Sequence, residues 1–516
     1  MSLARAIATV GGFTMLSRVA GFVRDMVLSA VLGGGAIADA FFVAFKLPNF
    51  FRRLFAEGAF SAAFVPIFAR EMQAGGRDAA IAFAREAQAA FLLVLLPFVI
   101  VLVIAMPWVM RLLAPGLTDD PTFALAIDLG RICFPYLLFI SLVSLHGGVL
   151  NGIERFAHVA ATPILLNLAI IAAVLGLTPL LPNGGYAAAI GVTLAGLLQW
   201  LWLVRAAHAE GVGVGFTRPR WTARVRRLVT LATPVAVGGG VQQISLFLDV
   251  VWASLLPAGA ISALYYADRV AQLPLGVVGV AIGTALLPML ARQLRAGEND
   301  AAMANQNRAL EFGFLLALPA AVALWVLAEP LVRMLFERGR FGNEDAIRAG
   351  QALAAFAIGL PAFVAVKGLT PGFFAREDTR TPLYIALAAI AANVALNIFF
   401  LKATSLGAAG IALASSIAGW LNAVALAVVL IARGHWVADG RLFDRGWRIL
   451  AASAGMGGFL WFIEPHSYGG TATLGLCVSG AALYGAFGIA LGILRRDEIV
   501  ALFRRSAPTA PPSPPA

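Results

Sequence analysis

Charge is scarce in this chain. Of 516 residues, 13% are Asp, Glu, Lys or Arg and 60% are hydrophobic. A soluble domain carries about a quarter of its residues as charges, so a water-exposed globular fold is excluded. Cysteine is scarcer still. Cys133 and Cys477 lie within apolar stretches and imply no disulfide framework. The five histidines, His146, His158, His208, His435 and His466, show no metal-ligand spacing. GVGVG at Gly211–Gly215 lacks the preceding strand and following helix of a dinucleotide loop. No nucleophile with its base is recognisable, so the chain does not read as an enzyme.

Long apolar runs take the place of what is missing. A bilayer helix needs about 20 mostly apolar residues. Such stretches fall near 5–32, 36–60, 79–105, 122–150, 159–181, 186–208, 228–256, 263–290, 308–330, 346–370, 381–401, 406–432, 446–464 and 471–494. The expected fold is an all-α polytopic membrane protein with about 14 transmembrane helices. Arg5 ahead of the first run imitates a signal peptide, but Arg18 and Arg24 interrupt it, so it reads as a retained first helix. Asp119-Asp120 before Pro121 reads either as a sugar-nucleotide site or as a helix-start cap.

The net charge of +11 follows the loops. With a cytoplasmic N-terminus, inside loops carry Arg70, Arg77, Arg155, Arg218 to Arg227, Arg292, Arg295, Arg376, Arg380 and Arg433 to Arg448. Outside loops are poorer, Arg338, Arg340 and Arg348 excepted. This positive-inside bias places both termini in the cytoplasm and argues against nucleic acid as a partner.

The chain also repeats itself. AFVPIFAREMQAG at Ala63–Gly75 returns as ALLPMLARQLRAG at Ala285–Gly297, 222 positions later. Pro97 answers Pro319 at the same displacement, and Thr162-Pro163 answers Thr381-Pro382 at 219. Each half then holds six helices. An even number inserts both halves with the same orientation, giving two lobes related by a pseudo-two-fold along the membrane normal. Transporters of that design bind cargo between the repeats and rock them to alternate access. The expected domains are 1–215 and 216–440 for the two lobes, 441–500 for helices 13 and 14, and a disordered Pro-rich cytoplasmic tail at 501–516. Gly33-Gly34-Gly35 must be a turn, Gly238-Gly239-Gly240 loosens helix 7, and Gly276, Gly279 and Gly283 permit close packing of helix 8.

The few intramembrane charges mark the candidate site. Arg18, Arg24, Asp25 and Asp39 lie in the first two stretches, followed by Lys46, Arg52, Arg53 and Glu57; helix 8 adds Asp268 and Arg269. A guanidinium at a bilayer-helix centre costs about 2.5–3.5 kcal/mol, so it normally faces a watery interior. Arg18 and Asp25, seven apart, share a helix face, while Arg24 projects from another. Arg24, Arg53 and Lys46 either snorkel to headgroups or join the cavity. Asp25, Asp39 and Asp268 read first as structural partners of the arginines. Converging guanidinium groups suit a diphosphate, which they bind through paired hydrogen bonds. Asp249, with Asn393 and Asn397 one turn apart on helix 11, either holds Na+, relays a proton or makes interhelical hydrogen bonds.

The strings SRVAGFVRD, ADAFFVAFKLPNFFRRLFAEGAFSAAFVPIF and YYADRVAQLPLGVVGVAIGTALLP resemble the MurJ/MviN family of bacterial lipid II flippases, across essentially the whole chain. The resemblance implies the fold of the multidrug/oligosaccharidyl-lipid/polysaccharide exporter superfamily, with helices 13 and 14 forming a lipid-tail groove. It implies substrate-binding arginines at Arg18, Arg24, Arg52 and Arg269, with an acidic position at Asp39. Members with a sodium site build it from helices 7, 11 and 12. Asp249 and Asn393 fit that set, whereas Asn397 replaces an acidic ligand found in some members.

The expectation is therefore a flippase of the bacterial inner membrane. It would move undecaprenyl-diphosphate-linked disaccharide-pentapeptide from the cytoplasmic to the periplasmic leaflet, without a cofactor. Na+ or H+ coupling and the membrane potential stay open as energy sources. Lipid II and membrane lipids are the expected partners, with cell-wall synthesis or division proteins alongside. The alternatives are a flippase for another polyprenyl-diphosphate-linked glycan and a multidrug cation antiporter, which would need an acidic cavity.

Overall fold

Glycine and proline punctuate this chain more sharply than polarity does. The computed structural model describes residues 3–53, 60–118, 121–464 and 469–493. Seventeen α-helices account for nearly all of them: α1 Leu3–Leu32, α2 Ala36–Phe51, α3 Ser61–Ile104, α4 Met106–Leu113, α5 Pro121–Cys133, α6 Tyr136–Gly152, α7 Phe156–Leu177, α8 Gly184–Ala209, α9 Ala223–Ser254, α10 Ala260–Arg295, α11 Asn299–Val326, α12 Ala328–Phe336, α13 Asn343–Phe374, α14 Arg380–Ala403, α15 Ala408–Ala432, α16 Gly440–Ile463 and α17 Gly470–Ala490. The described part of each apolar stretch lies largely on one of these helices or on a pair separated by a short break; the stretches at 36–60 and 471–494 run on into residues outside the described ones. Glu57, Asp119-Asp120 and the 501–516 tail lie outside the described residues.

Among the described residues, nine helices or helix pairs are long and apolar enough to cross a membrane, by length and composition. The longest of them, Ala63–Ile104, has 42 residues. At 1.5 Å per residue that is about twice a hydrocarbon core of roughly 30 Å. Gly76 resolves the excess. Its φ of 71° breaks α3, and only glycine adopts that region without a Cβ penalty. The chain turns back there: Phe60 stacks on Phe91 at 4.6 Å and Phe64 on Phe83 at 5.4 Å. The stretch expected at 79–105 is the second arm of this hairpin.

Helix starts follow local chemistry. The side chains of Asn183, Thr222 and Asp439 accept from Gly185, Val225 and Leu442 N–H at the starts of α8, α9 and α16. Each satisfies a donor that the first helical turn leaves unpaired. The Gly33–Gly35 turn forms as expected, with Gly33 at φ 76°.

Backbone contacts divide the chain into two units. The first takes the described residues up to Tyr266 together with Leu335–Ala349; the second takes Ala267–Met334 and the described residues from Gly350 onward. In the first unit, Phe41, Phe64, Phe68, Phe83, Phe134 and Tyr136 are fully buried. Helices α7 and α8 approach so closely that a Cβ on Gly191 would lie 2.8 Å from the Ala173 Cβ. Against lipid there is little hydrophobic gain between apolar faces, so such close van der Waals packing holds the helices together. The second unit ties α16 to α11 with charge. Buried Glu311 accepts from Arg308 and Arg445, Arg308 also donates to Asp439, and Trp436 Nε1 donates to Asn307 Oδ1 at 2.8 Å.

The repeat seen in the strings recurs in the backbone. Ala105 interrupts α3–α4, and its N–H returns to Val101; Leu327 interrupts α11–α12, and its N–H returns to Ala323. Both partners shift by 222. Thr193 Oγ1 donates to Ile132 O at 2.5 Å and Ser416 Oγ to Ala355 O at 2.7 Å, both ends displaced by 223.

Candidate cargo site

Helix α1 carries the first charges, and it uses them in two ways. Arg18 stands at the middle of this 30-residue helix with its side chain exposed, between exposed Met15, Leu16, Val19 and Val23. It makes no hydrogen bond or ion pair among the described residues. A guanidinium so placed among apolar side chains requires water or an anion beside it.

Arg24, two turns on, is 6% exposed. Its Nε and Nη2 donate to Asp25 Oδ1 at 3.1 and 2.7 Å, and Nη1 donates to Asn167 Oδ1 on α7 at 3.0 Å. The Tyr265 hydroxyl of α10 donates to Asp25 Oδ1 at 3.0 Å and accepts from Arg24 Nη2 at 3.3 Å. Asn167 Nδ2 donates back to Ser17 O. The expectation that Arg24 and Asp25 serve different faces is corrected here, because the long arginine stem swings onto its neighbour. Snorkelling of Arg24 is excluded by the same burial. Asp25 is the ion-pair partner of Arg24. Neither Asn167 nor Tyr265 was singled out in the sequence, since a lone amide or phenol in an apolar run carries no spacing signal.

Asp39 is 2% exposed and is held mainly by backbone. Its two oxygens accept from Gly259 N at 2.6 Å and Ser262 N at 2.7 Å, at the start of α10. A carboxylate there answers both the unpaired N–H groups and the positive end of the helix dipole. Ser262 Oγ donates to Gly34 O at 2.9 Å. Asp345 Oδ2 accepts from Gly34 N at 3.1 Å, and Asp345 Oδ1 pairs with Arg348 at 2.5 Å. Arg340 N donates to Ala30 O at 2.8 Å. The Gly33–Gly35 turn is thus clasped by two segments far along the chain, within the first unit. Asp39 caps the start of α10, with Arg348 as its nearby cation.

The remaining candidates are spread out. Arg52, half-buried, donates from Nε to Asn49 Oδ1 at 3.2 Å and lines a cavity of about 240 Å³. Arg53 is exposed. Arg269 and Asp268 are half-buried on the part of α10 that belongs to the second unit, where Asp268 accepts from Gln272. Asp249 is half-buried on α9 in the first unit. Asn393 and Asn397 are buried on α14 in the second. There Asn397 Nδ2 donates to Asn393 Oδ1 at 3.0 Å, and Asn393 Nδ2 donates to Ser415 Oγ of α15 at 3.2 Å. The first bond lies within α14 and the second joins it to α15. Among the described residues no group of three or more His, Cys, Asp or Glu could hold a metal.

An all-helical chain with nine membrane-length apolar helices among the described residues and buried ion pairs within and between its helices is a multi-span membrane protein, and its fold is that of membrane transporters. The structure of a multidrug resistance MATE family transporter of the MOP superfamily, in an inward-facing conformation, superposes with a TM-score of 0.68 at 15% identity, over 83% of this chain and 98% of the other. A solved structure described as lipid II flippase MurJ, inward closed conformation, superposes with a TM-score of 0.78 at 26% identity, over 95% and 99%. The family model "Lipid II flippase MurJ" matches residues 28–472. The chain is 45% identical over 510 residues to the probable lipid II flippase MurJ of Rhizobium meliloti (strain 1021), covering 96% of this chain and 94% of that one. It is 37% identical over 439 residues to the lipid II flippase MurJ of Burkholderia cenocepacia, covering 84% and 85%. The chain belongs to the MurJ family of lipid II flippases, and it is a transporter rather than an enzyme.

Proposed function

We propose that this protein flips lipid II, an undecaprenyl-diphosphate-linked disaccharide-pentapeptide, from the cytoplasmic to the periplasmic leaflet by alternating access. The observation that carries the reading is Arg18, a cation midway along α1 with no partner among the described residues. A multidrug cation antiporter would place carboxylates there; a diphosphate carrier needs guanidinium. Arg18, Arg52 and Arg269 bind the anionic head group, while Arg24, held by Asp25, Asn167 and Tyr265, fixes the shape of α1 beside them. Neutralisation of these cations by the bound anion lets two six-helix lobes, 1–215 and 216–440, close and reopen outward. The fourteen spans, both termini in the cytoplasm and a tail groove along α16 and α17 belong to the same reading.

The test is translocation of fluorescent lipid II by the purified full-length chain in proteoliposomes, with and without a membrane potential. Arg18→Ala and Arg269→Ala are expected to abolish flipping while the proteins insert and melt as the parent does. Full activity in both would remove the arginines from the mechanism.

A further inference from the structure

The segment joining α8 to α9 forms no helix over residues 212–222 and lies wholly within the first unit. It starts just past the end of the 26-residue apolar helix Gly184–Ala209. It also crosses the turn of α3. A Cβ on Gly211 would lie 3.1 Å from Arg77 Nη1, and one on Gly215 would lie 3.7 Å from Arg85 Nε.

This strap is fixed at both ends. Val212 N donates to Ala207 O at 2.9 Å, and the side chains of Val212 and Val214 are buried. At the other end Thr222 Oγ1 donates to Glu86 Oε2 at 2.8 Å, while Arg224 bridges Glu71 and Glu86 at 3.1 and 2.6 Å. Pro219 restricts the backbone between them. That middle part faces outward: Phe216 is 72% exposed and Trp221 60%.

Charge on the strap is left unbalanced. Arg218, Arg220, Arg226 and Arg227 have exposed side chains that make no hydrogen bond or ion pair among the described residues. No Asp or Glu occurs between Glu210 and Asp249. Glu71 and Glu86 are committed to Arg224, and Glu210 pairs with Arg155 at 2.9 Å. The two bare rings narrow the chemistry of what the four cations meet. An indole is favoured at the head-group level of a bilayer, and a phenyl ring gains by leaving water. Guanidinium groups pair with phosphate oxygens. A soluble polyanion would answer the arginines, but a lipid leaflet already adjoins the end of a membrane-length helix.

We propose that residues 216–227 bind the head groups of anionic phospholipids. Arg218, Arg220, Arg226 and Arg227 meet the lipid phosphates, and Phe216 and Trp221 enter the head-group layer. The strap between the two sequence repeats is thereby fastened to the membrane surface.

The test places the full-length chain in mixed vesicles of phosphatidylcholine and phosphatidylglycerol, with bromine on the acyl chains of one lipid or the other. Bromine quenches a tryptophan in contact with the lipid that carries it, and the difference between wild type and Trp221→Phe isolates Trp221. Brominated phosphatidylglycerol is expected to quench Trp221 more than brominated phosphatidylcholine at the same lipid composition. One arginine near an anionic surface is worth about fivefold in binding. The double variant Arg218→Gln, Arg220→Gln should therefore lower the preference about fivefold or more, and high salt should lower it too. Arg218→Lys with Arg220→Lys should keep most of it. Equal quenching by the two lipids overturns the proposal, as does a preference that the glutamine substitutions leave intact. An unquenched Trp221 would place the strap in water and overturn it as well. Binding of a single-stranded oligonucleotide by the detergent-solubilised chain, lost in the double variant and without any lipid preference, would assign the strap to nucleic acid instead.

Discussion

Glu154 and Glu377 stand 223 positions apart and share a left-handed backbone, with φ of 62° and 61°; no other non-glycine residue among those described has a positive φ. Each follows the end of a helix. Arg155 N then returns to Leu150 O at 2.9 Å, and Asp378 N to Phe373 O at 3.1 Å. This six-residue closure satisfies orphan helix carbonyls and normally uses glycine at the turning position. The same uncommon solution at equivalent places gives the internal repeat a structural counterpart beyond its matching strings.

Left-handed φ strains a residue with a Cβ by about 1–2 kcal/mol. Part of that is offset by the greater unfolded-state entropy of glycine. Glu154→Gly and Glu377→Gly are each expected to stabilise the protein by about 0.5–1 kcal/mol, read as a rise in Tm in detergent. Glu→Val at either position should lower it. A lower Tm for both glycine variants would mean that the carboxylates contribute more than the backbone strain costs.

The Arg24–Asp25 pair is buried on both sides, with side-chain exposures of 7% and 3%. Removing one partner leaves an uncompensated charge, at about 3–5 kcal/mol. Arg24→Ala and Asp25→Ala are each expected to destabilise strongly, and the double variant by less than their sum. A double-mutant cycle on thermal or denaturant unfolding measures this coupling. Additive effects would show that the two side chains act separately.

Asp39 holds two backbone N–H groups at the start of α10. Asp39→Ala leaves both unsatisfied, for a loss of about 2–4 kcal/mol. Asp39→Asn retains one acceptor oxygen and should lose less. Equal Tm values for the two variants would contradict the capping role.

Asp378 lies in the turn after α13. Its carboxyl is held below the ordinary aspartate range, chiefly by Thr381 through its side chain and N–H, and further by Arg433. A depressed folded pKa gives stability that is present above the unfolded value of about 3.9 and is lost as pH falls through the folded value. Asp378→Asn should therefore be less stable at pH 7 and flatten the loss of Tm below about pH 4. Because Arg433 is partly exposed, the effect should be modest and should shrink in high salt. An unchanged acid limb would sink this account.

Much of the candidate site was open to sequence reading, because an arginine inside an apolar run is conspicuous at any position. Arg18 and the Arg24–Asp25 dipeptide stand out for that reason alone. What those groups touch did not follow. Asn167 lies 143 residues from Arg24 and Tyr265 lies 241 residues away, and no local period links them. Nothing near Asp39 in the sequence shows that the start of α10 lies against it.

The sequence by itself determined that this chain is helical, membrane-embedded and duplicated. Each property rests on composition or spacing along the chain, where apolar length, arginine placement and a displacement of 222 can be counted directly. Tertiary structure alone decided where Gly76 turns α3 back on itself, that Arg24 pairs with Asp25 and Asn167, and that Asp39 caps a helix beginning more than 200 residues later. The physical reason is range. Hydropathy and backbone preference act within a few turns, whereas a charge or an unpaired N–H is satisfied by whichever group folding brings within about 3 Å.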